Sequence, residues 1–180
     1  MPVSVNVRMA MPEDVPAIQG IYAPYVLHGG ASFEVDVPDA GEILRRRAAI
    51  LELGLPYLVA EIAGEIVGYS YANRFRPRAA YRFTVENSVY VAERFQRLGV
   101  ARLLMQQVIE HCTKAGMREM IAVIADPSTS TASVALHRSL GFEEAGLLRG
   151  VGEKFDRALD VLIMQKSLAA ATSANAGSVD

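Results

Sequence analysis

The spacing of apolar and polar positions divides the chain into strand-like and helix-like segments. Residues 5–10, VNVRMA, alternate as a strand with one covered face does. Residues 11–27, MPEDVPAIQGIYAPYVL, take helical spacing. Glu13 and Asp14 suit the positive end of a helix dipole, and Pro24 is expected to end or kink that helix. A second helix is expected from Asp39 to Leu53. Residues 57–75, YLVAEIAGEIVGYSYANRF, hold two strand runs around Ala63-Gly64-Glu65, a hairpin signal. FTVENSVYV (83–91) is another alternating strand, and the long amphipathic helix after it has Gly116 placed as its cap. MIAVIAD (120–126) reads as a buried strand and STASVALHRSL (130–140) as a short helix. FEEAGLLR (142–149) and ALDVLIMQKSL (158–168) read as the last strands.

The order is strand, helices, three antiparallel strands, helix, strand, helix, two strands. It predicts an α/β (α+β) fold with one central, largely antiparallel mixed sheet and helices on its faces. Residues 1–168 are expected to form a single domain, with 169–180, small and polar, as a frayed tail.

Composition narrows the function classes. Apolar residues make up 51% and charged residues 21%, with a net charge of −2, so charge balance argues against a nucleic-acid partner. Arg45-Arg46-Arg47 reads as a solvated helical face. The lone Cys112 excludes an internal disulfide, suits a reducing compartment and has the spacing of a small core residue. His28, His111 and His137 have no metal-ligand spacing, so no metal is expected. There is no leader-like N-terminus and no apolar run near 18 residues, which points to a cytoplasmic protein without a membrane partner.

The chemistry concentrates in YVAERFQRLGVARLLMQQVIEHC, residues 90–112. A strand ends at Val91, and Arg94, Gln96, Arg97 and Gly99 crowd the mouth of the next helix with no acid closer than Glu93. A helix N-terminus offers unpaired N–H groups and partial positive charge. Gly99 and the small Ala101 let a ligand approach the backbone, and Arg94, Arg97 and Arg102 add charge, as a pyrophosphate seat requires. On spacing alone, a solvated surface loop is the competing reading. Neither G-x-x-x-x-G-K-[ST] nor a G-x-G-x-x-G after a strand is present. GYSYA (68–72) nearly matches a serine nucleophile elbow, but Ser70 falls inside a hairpin strand.

Gln96-Arg97-Leu98-Gly99-Val100-Ala101 fills the pattern [QR]-x-x-G-x-[GA], and in this the chain resembles the GNAT superfamily of N-acetyltransferases. IYAPYV, ASFE, FRPRAAYRFTVENSVYV, SVALHRSLGF and VGEKFDRALDVLIMQ extend the likeness from about Val7 to Leu168. They make it similar to the phosphinothricin and methionine sulfoximine N-acetyltransferase branch. The resemblance implies a GNAT-type sheet with a splayed strand pair, acetyl-CoA as co-substrate and a homodimer. It also implies that Val89, Tyr90 and Val91 offer backbone groups to the pantetheine arm, and that Arg97, Leu98, Gly99, Val100, Ala101 and Arg102 receive the pyrophosphate.

Strand alternation puts Thr84, Glu86, Ser88 and Tyr90 on one face and Val85, Asn87, Val89 and Val91 on the other. Glu86 can attract a substrate ammonium and accept its proton, burial raising its pKa. Otherwise it is an exposed glutamate paired with an arginine; the resemblance favours the base, with Asn87 and Ser88 lining the substrate site. His137 shares a helical face with Ser133 and reads as structural on its own. By resemblance it assists catalysis. Small amino acids carry carboxylates, so Arg76 and Arg78, flanking Pro77, are expected to anchor them, with Phe33 and Tyr90 as apolar walls.

Two departures stand out. Ser130 occupies the place where the resembled family has an asparagine contacting acetyl-CoA, and KFDRALDV has Ala158 where the family has tryptophan. The leading expectation is acetyl transfer to a small amino-acid-like amine by direct transfer in a ternary complex. The alternatives are acetylation of a protein N-terminus or another amine, and a non-catalytic CoA-sensing domain.

Overall fold

A computed structural model describes residues 4–168. The strands are Asn6–Met9 (β1), Tyr57–Ile62 (β2), Glu65–Arg74 (β3), Thr84–Val91 (β4), Glu119–Ala125 (β5), Glu143–Lys154 (β6) and Arg157–Ser167 (β7). The helices are Val15–His28 (α1), Ala40–Glu52 (α2), Val100–Lys114 (α3) and Thr131–Ser139 (α4). The sheet order is β1-β2-β3-β4-β5-β7-β6, and only β4 and β5 run parallel. The expected mixed, largely antiparallel α/β sheet is thus present. The expected tail lies outside the described residues.

The two faces of β3 explain how the layers form. Its odd positions Tyr69 and Tyr71 stack with Tyr57 of β2 on the side of α1 and α2. Its even positions turn to α3, where a Cβ on Gly68 would come within 3.2 Å of Val100 and Leu104. Glycine there lets α3 approach the sheet, and Leu104, Met105, Val108 and Cys112 are fully buried on it. Each large apolar side chain contributes about 1.5–3 kcal/mol by leaving water. The α3 end is closed by Gly116 N–H on Thr113 O (3.0 Å) and Met117 N–H on Cys112 O (3.0 Å), a Schellman pair.

Three details differ from the sequence reading. Pro24 does not end α1, which runs on to His28. Pro24 and Gly20, whose carbonyl Pro24 leaves without an N–H, both face solvent, and Tyr22 and Tyr25 anchor the helix on its inner side. Asp14 lies in a short 3₁₀ turn and stands at the N-cap of α1, which starts only at Val15, and it adds an ion pair with Arg8 (2.7 Å). Finally, β6 extends five residues past Arg149, through Gly150 and Gly152, to a tight turn with Phe155 at φ 53° and Asp156 at φ 55°. Its pairing is irregular between Leu148 and Gly152, which hides the strand from period-two reading.

Candidate active site

β4 and β5 pair over only three positions, from Thr84↔Glu119 to Glu86↔Ile121. β4 stays paired with β3 through Val91, so beyond Glu86 it parts from β5 alone. Strands that separate leave ladder N–H and C=O groups without partners. A cleft of about 720 Å³ opens in this gap, lined by residues from β4, β5, the loop before α3, and α4.

The loop brings Gln96, Arg97, Gly99, Val100, Ala101 and Arg102 to the cleft; Leu98 is half exposed and does not line it. Gly99 has φ 82°, in the left-handed region, and supplies no side chain to cap α3. The first N–H groups of α3 therefore stay open toward the cleft, as an anion site needs. Arg102 donates to Ser139 Oγ (2.8 Å), and Arg97 is exposed at φ 62°. Arg94 does not supply free charge: it pairs with Glu65 at the start of β3, a partner that sequence distance concealed.

Glu86 is half-buried in the last paired position before the gap. Burial pushes its carboxyl pKa up, and the Arg76 guanidinium pulls it partly back. Arg76 lies over the Phe75 ring at 4.8 Å, and Arg76, Pro77 and Arg78 are all exposed. Ser88 lines the cleft, and its carbonyl accepts from Ser70 Oγ (2.7 Å), inside β3 as the strand reading of GYSYA required. Tyr90 packs edge-on against Tyr22 (4.9 Å) and Tyr25 (5.1 Å). Phe33 sits against Gly152 of β6, in a loop held by buried Lys154, which donates to Gly29 O (3.0 Å) and Ser32 O (2.7 Å).

Asn87 and His137 meet on the opposite face of β4. Asn87 Nδ2 donates to Ile121 O (3.2 Å), and its Oδ1 accepts from His137 Nε2 (2.9 Å). With the neutral ring's one proton on Nε2, His137 Nδ1 is an acceptor 3.5 Å from Ser133 Oγ and 2.8 Å from Ser133 O, and the ring packs edge-on against Phe142. The ring is almost fully buried; desolvation pushes its pKa down and the Ser133 carbonyl works against that. Both ring nitrogens are thus taken up inside the protein, next to the cleft wall.

Ser130 does not cap α4 through its side chain; its Oγ donates to Ala125 O (2.8 Å) at the end of β5. The turn is organised by Asp126, whose carboxylate accepts from Ser128 Oγ (2.7 Å) and Thr129 Oγ1 (2.8 Å), which lowers its pKa. Sequence reasoning gave no role to Tyr25, whose hydroxyl reaches Val91 across the cleft mouth. Its helical spacing to Ile21 and Tyr22 reads only as core. Among the described residues, no group of three or more His, Cys, Asp or Glu could hold a metal ion, and no helix is long and apolar enough to cross a membrane.

The parallel strand pair thus parts over an uncapped helix N-terminus, with the carboxylate of Glu86 at the last paired position. The chain belongs to the acetyltransferase (GNAT) family, whose sequence profile matches residues 28–142. It is similar to a phosphinothricin N-acetyltransferase of Alcaligenes faecalis, 48% identical over 163 residues, covering 91% of this chain and 82% of that protein. An L-methionine sulfoximine/L-methionine sulfone acetyltransferase of Pseudomonas aeruginosa is 38% identical over 169 residues, covering 92% and 95% of the two chains. Among solved structures, a phosphinothricin acetyltransferase of Sinorhizobium meliloti in complex with acetyl-CoA superposes with a TM-score of 0.87. That match is 39% identical and covers 93% of this chain and 89% of that one.

Proposed function

We propose that the chain transfers the acetyl group of acetyl-CoA to the amino group of a small amino-acid-like substrate. The substrate is of the phosphinothricin, methionine sulfoximine or methionine sulfone type, and both molecules are bound at once. The observation that carries this reading is the β4–β5 gap, open from Glu86 to the N–H groups of α3. The named activities of the relatives support the substrate class.

Acetyl-CoA supplies an activated acyl group on a thioester. Its diphosphate rests against residues 97–102, and its arm lies along the backbone of Val89, Tyr90 and Val91, with Ser130 at the far lip. The substrate ammonium loses a proton to Glu86, directly or through water, and its nitrogen lone pair attacks the acyl carbon. The C–N bond forms, negative charge collects on the acyl oxygen, the C–S bond breaks, and the nitrogen's second proton goes to the departing thiolate, directly or through water, leaving the amide and coenzyme A thiol. Arg76 and Arg78 hold the substrate's acidic groups, with Pro77, Phe33 and Ser88 around it, while the Asn87 side chain turns to the opposite face of β4, toward His137. His137 assists through Asn87, since both of its nitrogens already have partners. The active unit is a homodimer.

A thiol-release screen over amino acids and their sulfone, sulfoximine and phosphinic analogues tests the proposal. Release with these analogues, cut at least about 100-fold by Glu86→Gln, is expected, as removal of a general base predicts. Release only with free peptide N-termini or polyamines would move the activity to another amine. Coenzyme A binding without release from any amine would make this a sensing domain.

A further inference from the structure

The segment from Gly29 to Pro38, between α1 and α2, makes no backbone–backbone hydrogen bond among the described residues. Main-chain groups that leave water need partners, so side chains from other elements must fix its course. Ser32 Oγ lies 2.7 Å from the Tyr22 hydroxyl of α1 and accepts from Glu34 N (3.2 Å). Glu34 pairs with Arg46 of α2 (2.5 Å), and Gln19 Nε2 donates to Pro38 O (2.9 Å). Lys154, the last residue of β6, donates to Gly29 O (3.0 Å) and Ser32 O (2.7 Å).

The two carbonyls held by Lys154 bracket Gly30 and Ala31. A Cβ on Gly30 would lie 2.8 Å from Asp126 Oδ2, and Ala31 lines the cleft with Ala125 and Thr129. Phe33 follows, against Gly152. On its inner side the segment meets Tyr22, whose ring packs on Tyr90, and Tyr90 shares its face of β4 with Glu86 and Ser88. The segment thus covers the side of β4 on which an amine meets Glu86.

Lys154 is only 6% exposed, and the groups it touches are two carbonyls and the Phe155 ring (5.1 Å to the centroid), all uncharged. Burying a cation costs free energy that neutral partners offset only in part. What the ammonium provides, and an apolar side chain of the same length cannot, is a grip on two carbonyls at once. We propose that Lys154 is a positioning residue for the amine substrate: by holding the carbonyls on both sides of Gly30-Ala31, it keeps Ala31 and Phe33 in place as the wall against which the amine fits. This inference rests on the acetyl-transfer reading above and extends it to the amine site.

Lys154→Met keeps the length and the apolar stem and removes the charged head. Initial rates varied in each substrate, with methionine sulfone as the amine, should show the amine KM rising about tenfold while that for acetyl-CoA stays within about twofold. A merely structural loss reduces the active fraction, so kcat falls and neither KM moves. Phe33→Ala removes the wall itself, so adding Lys154→Met to it should raise the amine KM by less than about twofold more. Should Lys154→Met fail to fold, Lys154→Gln, which still offers a donor, carries the same test with a smaller rise in the same direction. An unchanged amine KM in a folded variant, an equal rise in both KM values, or effects of Lys154→Met and Phe33→Ala that simply multiply would overturn the role of Lys154. A wild type that releases no thiol with any amine overturns the acetyl-transfer reading itself, and this inference with it.

Discussion

Replacing Asn87 by alanine probes the point where β4 and β5 part. Its amide joins Ile121 of β5 to His137 of α4 with bonds of 3.2 and 2.9 Å, and Asn87 and His137 are 6% and 3% exposed. Alanine offers neither a donor nor an acceptor, and the two side chains, though they border the cleft, are nearly closed to water. A buried polar group left without its partner costs about 1–3 kcal/mol. Two such groups, Ile121 O and His137 Nε2, with the first only partly deprived because it lies in the ladder, give about 2–4 kcal/mol. For a chain of this size that is a fall in Tm of roughly 5–15 °C. Calorimetric melting of Asn87→Ala, His137→Ala and the double variant measures it. The loss should appear mostly in the first substitution, with a coupling of about 0.5–3 kcal/mol between the two sites. A Tm within about 1 °C of wild type, or strictly additive variants, would refute the argument that this amide braces the apex.

Because burial raises the Glu86 pKa, the ionised base forms only as pH climbs past the usual carboxylate range. The rate should therefore rise through a displaced acidic limb in a pH–kcat/KM profile, and Glu86→Gln should abolish that limb. A raised carboxyl pKa favours the folded state at low pH and loses that contribution as pH rises through it, so Glu86→Gln should melt no lower than wild type at pH 7. Asp14 has the opposite sign: Arg8 and the Met11 N–H hold its pKa down, so its stabilisation is present above the normal carboxylate pKa. That stabilisation disappears as pH falls through the depressed value. Asp14→Asn should cost about 1–3 kcal/mol at pH 7, and the difference should shrink in urea titrations at acid pH. A Cβ on Gly152 would lie 2.2 Å from the Phe33 ring, whose 38% exposure leaves room to swing away. Gly152→Ala should thus change the KM for the amine with little change in that for acetyl-CoA, read from initial rates varied in each substrate.

Linear pattern was enough for whatever depends on neighbours in the chain. The alternation of FTVENSVYV and the i, i+4, i+8 spacing of Val100, Leu104 and Val108 identify β4 and α3. The turn between them carries Gly99 for its left-handed backbone. These features also carried the family resemblance. The depth of β6 was not legible, because a bulge breaks the period and Phe155-Asp156 is an unusual turn pair.

What only the tertiary structure decided lies across large separations. Arg94 meets Glu65, Tyr25 closes Val91, His137 orients Asn87 and Lys154 pins the loop bearing Phe33. Each of these partners is between 29 and 125 residues away. The period of a strand tells which way a side chain points, not what it will find there. Where β4 leaves β5, the unpaired backbone must be satisfied by whatever the packing of α1 and α4 delivers. Local propensity determined the elements of the cleft, and their packing determined which of its hydrogen-bonding groups stay free.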